Sequence, residues 1–139
     1  MRSFSRLFLI LLLGAIAAEG TAQTCTTTWQ NTSGGTWTDA ASWSAGVPTT
    51  GSVACLTTPG TYTVTANGIT ASVLRLGAAS GTQTLVSSGT IALADSGVVA
   101  ENGVLEWTGN YLTSGELTNR GLLRLTTNVN SRGVRDGAT

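Results

Sequence analysis

The 139-residue sequence contains no histidine and no lysine. Histidine is the side chain that titrates near neutrality and the commonest zinc ligand, and lysine supplies the amine of Schiff-base chemistry, so much familiar catalysis is excluded. Charge is scarce as well, at 10% of residues, and the seven arginines balance seven acids. Aromatic residues make up only 6%, yet four of them are tryptophan. A hydrophobic fraction of 41% is too high for a disordered chain of such low charge. The length suits a single domain.

The one long apolar run, from Leu7 to Ala18, follows Arg2 and Arg6 and precedes the small residues Gly20 and Ala22. A basic start, a short hydrophobic stretch and a small-residue cleavage site describe a secretory signal peptide over residues 1–22, cut after Ala22. The run is too short for a membrane span, which needs roughly 20 apolar residues. Thr21 to Thr24 do not resemble a lipobox, so lipid attachment at Cys25 is not expected. The remaining chain carries five arginines (75, 120, 124, 132, 135) and six acids, for a net charge of −1, and no further stretch able to insert stably in a membrane. Near-neutral charge argues against nucleic acid as a partner, because neutralising phosphates needs concentrated cations. The four arginines beyond Leu117 read as solvated surface side chains.

Export places Cys25 and Cys55 in an oxidising compartment, where they either pair or remain free thiols. A disulfide between them would close a loop of about 30 residues and stabilise the region by roughly 3–4 kcal/mol in the chain-entropy model. No Cys-x-x-Cys motif supports redox chemistry or zinc, and no cofactor or metal is expected.

The exported part changes character near Pro59. Residues 23–58 form a turn-rich, irregular stretch holding Trp29, Trp37 and Trp43; residues 59–139 hold short Thr- and Val-rich segments punctuated by glycine, with almost no helical periodicity. Gly97, Gly103, Gly109, Gly115 and Gly121 recur every six residues, and Gly133 resumes the series after Thr127. The third position of these hexads is Val99, Leu105, Tyr111, Leu117, Leu123 and Val129, then Arg135. A turn residue followed by a short strand with a fixed inward position is what a β-solenoid coil requires. Three such sides predict triangular coils of about 18 residues, with Leu105 and Trp107, and likewise Leu123 and Leu125, turned inward, and Glu106 and Arg124 outward. The competing arrangement is an antiparallel sandwich whose hairpins turn at Asn67-Gly68 and Asn102-Gly103.

The segment Thr36-Trp-Thr-Asp-Ala-Ala-Ser-Trp-Ser-Ala-Gly-Val-Pro-Thr-Thr-Gly51, with Pro59-Gly-Thr-Tyr-Thr-Val-Thr65 and the coil-like Gly115-Glu-Leu-Thr-Asn-Arg-Gly-Leu-Leu-Arg-Leu125, resembles the opening of secreted bacterial β-helix surface proteins. These include autotransporter-passenger-like and filamentous-haemagglutinin-like repeats. The resemblance implies a right-handed parallel β-helix with a Trp-rich N-terminal cap, acting in adhesion or surface display. About four coils fit after Pro59, so the chain is expected to be part of a longer solenoid, with end-to-end coil stacking as an option.

Catalysis is not expected, since Glu101, Glu106 and Glu116 occupy different hexad positions and form no common row. The expected function is therefore a non-catalytic, secreted or cell-surface structural or adhesion-type module whose partners are extracellular glycans or host and cell-surface components. The alternative is a carbohydrate-binding module or a fragment of a β-helix polysaccharide-processing enzyme. Trp29, Trp37, Trp43 and Trp107 are the candidate sugar-stacking residues, with packing in the cap or core as the competing role for each. Thr61, Thr63 and Thr65, beside Thr82 and Thr84, suggest a threonine ladder that is not sustained further along.

Overall fold

Tyr62 to Ala66 shows why this chain builds strands. Its β-branched and aromatic residues suit a pleated backbone, and they alternate buried and exposed at every step. The computed structural model describes residues 23–109, 111–113, 115–126 and 134–136. The expected signal segment and the expected inward Val129 lie outside the described residues. Twelve strands follow in chain order: β1 (Thr27–Thr28), β2 (Gly35–Thr36), β3 (Val53–Leu56), β4 (Tyr62–Ala66), β5 (Ile69–Leu76), β6 (Gln83–Ser87), β7 (Ile91–Val99), β8 (Gly103–Trp107), β9 (Leu112–Thr113), β10 (Glu116–Asn119), β11 (Leu122–Leu125) and β12 (Val134–Asp136). A single 3-10 turn, Ala40–Ser42, capped by the Asp39 carboxylate, is the one helical element among the described residues.

One sheet runs β1-β3-β5-β7-β10-β12, with β9 also paired to β7; the other runs β11-β8-β6-β4-β2. All these strand pairs are parallel. The protein is an all-β solenoid of about three turns. Asn67-Gly68 and Asn102-Gly103 are therefore not hairpin turns: each lies where the chain leaves one sheet for the other.

The coil is longer than the glycine spacing predicts. Register advances 21 residues from Tyr62 to Gln83 and 20 from Gln83 to Gly103, and only the step from Val104 to Leu122 equals 18. Two sides of the expected triangle also merge. β5 and β7 each run through both, and their register shifts between Ala71 and Val73. In the next coil the same two sides separate as β9 and β10, both paired to β7. β7 carries the extra residue there, Ala94 and Asp95 standing opposite Ser72 of β5, and such a bulge bends a strand without ending its sheet.

The glycine series marks close approach more than turning. Of its described members only Gly115 has a left-handed backbone, φ +76°. Gly109 instead abuts the neighbouring coil, where a Cβ would collide with the Gly89 carbonyl and crowd the Trp107 indole nitrogen.

Inward positions stack in columns. Val64, Leu85, Leu105 and Leu123 share one column, and Ala66, Ser87, Trp107 and Leu125 another. The second accommodates its indole by placing small residues next to it, and the Trp107 N–H donates to the Gly89 carbonyl at 3.0 Å. Val99, Leu105 and Leu117 are fully buried, and Leu123 packs partly against the same core. Tyr111 departs from the hexad expectation at 54% exposure, because its neighbour Leu112 takes the inward place in register with buried Ile91. Leu125 occupies an inward column but is 42% exposed, since β11 ends its sheet and no described strand stacks on it.

Nor does the fold break at Pro59. β3 pairs with β5 from Val53↔Val73 to Leu56↔Leu76, and all four of its residues are buried. Ala54 and Leu56 join the main core, while Val53 and Cys55 face outward into a second small cluster with Val73, covered by Cys25.

Candidate binding surface

The three N-terminal tryptophans come together, with their rings inside. Trp29 and Trp37 both meet Trp43 edge to face, at centroid separations of 5.2 Å and 4.8 Å. Such edge contacts bring the positive rim of one ring to the negative face of the next. The Trp29 N–H donates to the Asn31 carbonyl and the Trp43 N–H to the Trp37 carbonyl, so neither indole buries an unpaired donor. Exposure is 0% for Trp29 and Trp107, 3% for Trp37 and 4% for Trp43. A ring that stacks on a sugar must present a face to solvent, and none of the four does. Trp37 lines a cleft of about 340 Å³ with Thr36, Thr65, Asn67 and Ser88, yet the opening is set by these short polar side chains.

Cys25 and Cys55 form a disulfide, their Cα atoms 5.9 Å apart. It ties the strand-free start of the described chain to β3, and so holds β1 against the second coil.

The threonines occupy the outer face of the β4-β6-β8 sheet. Thr63 lies beside Thr84 and then Val104, and Thr65 beside Val86, Glu106 and Arg124, so the hydroxyl rows last two coils. Beyond them Arg124 and Glu106 make an ion pair of 2.6 Å.

A different surface gathers polar groups that lack partners. On the outer face of the first sheet, Arg75 lies beside Val98, and Val98 beside Thr118. Two clefts meet there. One of about 280 Å³ is lined by Thr57, Arg75, Gly77, Val98 and Ala100; the other, of about 290 Å³, by Ala78, Ala79, Val98, Ala100, Glu101, Asn102 and Arg120. Val98 and Ala100 belong to both and make the floor continuous. Small residues keep that floor low: Gly77, Ala78 and Ala79 follow β5, and Ala100 follows β7. Arg75 and Arg120 sit on coils two strand steps apart, about 10 Å along the stack at the usual interstrand spacing. Neither guanidinium makes a side-chain hydrogen bond or ion pair with a described residue, and the Glu101 carboxylate makes none.

Gln83 organises the loop beneath these clefts. Fully buried, it accepts from the Ala78 N–H at 2.6 Å and donates to the carbonyls of Gly60 and Ser80. Asn102 adds a bond to the Ala78 carbonyl at 2.9 Å. The wall that carries Ala78 and Ala79 is thus pinned from two coils. Next to Gln83, the Tyr62 hydroxyl is buried without a well-formed hydrogen bond; burial pushes its phenol up to about 12, and the nearby Thr58 backbone opposes the rise only in part.

No family model, curated protein or solved structure matches this chain. Among the described residues, no three His, Cys, Asp or Glu side chains group as a metal site, and no helix is long and apolar enough to cross a membrane.

The sequence reading named the tryptophans and missed Arg75, Arg120, Glu101 and Gln83 as members of one region. Arg75 and Arg120 are separated by two coils of chain, and only the register makes them neighbours. Gln83 carried a readable signal, a polar residue at an inward position of Thr82-Gln-Thr-Leu-Val86.

Proposed function

We propose that the protein is a non-catalytic, secreted or cell-surface structural module of the adhesion type, similar in role to the bacterial β-helix surface proteins that its opening segment resembles. The observation that carries this reading is the disulfide-tied stack of parallel coils. A Cys25–Cys55 bond fits an oxidising compartment. A stack of coils presents long, regular outer faces built on a core that does no chemistry, which suits display and contact. The tryptophan cluster at the β1 end acts in this reading as a cap on the first coil, filling with large apolar rings the end that repetition leaves open. Right-handed coiling belongs to the same proposal.

Fractionation of the producing cell, protease shaving of intact cells and non-reducing electrophoresis test it together. Recovery of an oxidised chain in the medium or in the shaved fraction is the expected result. A reduced chain confined to the cytosol would contradict it.

Carbohydrate binding is the second reading. It is favoured by the clefts between Arg75 and Arg120 and not by the tryptophans.

A further inference from the structure

We infer that the paired clefts on the outer face of the first sheet bind an acidic polysaccharide, with the Arg75 and Arg120 guanidinium groups each receiving a carboxylate of a uronic-acid chain. The inference rests on the extracellular reading, which places such polymers within reach of the protein.

The chemistry follows from the groups on the surface. Guanidinium presents a planar fork of donors that matches a carboxylate in a bidentate pair, and it is more weakly hydrated than an ammonium. Among the three arginines with described side chains, Arg124 is satisfied locally, by Glu106. Arg75 and Arg120 are not, although Glu101 lines the same cleft as Arg120. Two forks without a partner among the described residues, on coils two interstrand steps (about 10 Å) apart and offset by two residues along the strand, suit a polymer carrying charges at intervals better than a single small anion. The floor between them, Val98 and Ala100, carries only small apolar side chains, against which the face of a sugar ring can lie. Asn102 and Glu101 offer a donor and an acceptor for ring hydroxyls. Gln83 and the Asn102 amide hold the Ala78 wall in place before any ligand arrives, so little ordering is left to oppose binding.

Affinity electrophoresis and calorimetry of the purified protein with polygalacturonate test this, with dextran as the neutral polymer and heparin as the sulfated one. Saturable binding to polygalacturonate is expected, weakened several-fold by Arg75→Gln or Arg120→Gln and at least tenfold by the double variant. Arg124→Gln, on the other sheet, should bind as the wild type does. Unchanged far-UV spectra and melting of the variants establish that the loss is not unfolding. Equal retardation by dextran, a double variant that binds polygalacturonate normally, wild-type protein that ignores it, or binding confined to heparin would each overturn the inference. These measurements use purified protein, so they fail or succeed independently of where the cell delivers the chain.

Discussion

The two ends of the described stack are held by different means. At the β1 end, three indoles, a disulfide and a strand buried at all four positions do the holding. At the β11 end the same parallel register continues, but the inward Leu125 is 42% exposed, and the side chains facing out are Leu122 and Arg124, the latter paired with Glu106 of β8. Repetition alone therefore builds the coil, and it does not finish it. Each coil stabilises the next by covering its apolar column, and an end must find cover elsewhere. In the reading proposed above, the N-terminal tryptophans supply that cover from within the chain.

Substitutions at the two ends should separate these contributions. The largest effect belongs to Trp43, which touches both other rings: Trp43→Ala should lower the unfolding free energy by about 3–5 kcal/mol, read from urea titration. Opening the disulfide by Cys25→Ser should cost roughly 3–4 kcal/mol, and the loss should appear equally on reduction of the wild type. If neither change moves the midpoint, the β1 end is not the more firmly held one.

Between the ends, Gln83→Leu leaves an amide and two carbonyls without their partner, at about 1–3 kcal/mol for each group that water does not reach. Hydrogen exchange should accelerate first at Ala78, whose amide the side chain holds. Tyr62→Phe removes a buried hydroxyl without a well-formed hydrogen bond and should change stability at neutral pH by less than about 1 kcal/mol. Its signature is alkaline. The folded phenol titrates near 12 and the unfolded one near 10, so wild-type stability is intact below pH 10 and declines as pH rises toward 12. The phenylalanine variant should lose that part of the decline, measured by denaturant midpoints at pH 9 and above.

The smallest effect should fall at the far end. Leu125→Ala should cost under about 1 kcal/mol, whereas Leu105→Ala, in the neighbouring inward column, should cost about 2–5 kcal/mol because it leaves a cavity. Equal losses would mean that β11 is as well covered as β8, and the comparison between the ends would collapse.

Much of this architecture was legible before any coordinates. Val99, Leu105 and Leu117 follow from the glycine spacing, and Leu105 with Trp107 from simple alternation, because strand faces obey a period of two. The Cys25–Cys55 bond is one of the two outcomes that the cysteine count left open. What failed did so for one physical reason. The neighbours of a parallel coil lie about 20 residues away, so local pattern says which way a side chain points and not what it meets. The hexad placed Tyr111 inward, but the register sets Leu112 opposite Ile91 and leaves Tyr111 outside. The same limit hid the clefts, since Arg75, Glu101 and Arg120 become one surface only through the registers of β5, β7 and β10. The tryptophans were recognisable as special from their scarcity, but sugar stacking and packing draw on the same ring, and only burial separates them.

The stacked parallel register is the claim on which the rest depends. Backbone amide contacts in a labelled sample, observed by multidimensional NMR, test it most directly. The account predicts cross-peaks linking the strand around Val64 to that around Leu85, and Leu85 to Leu105, each in parallel register. Antiparallel cross-peaks folding Val98 onto Trp107 across Asn102-Gly103 would contradict it.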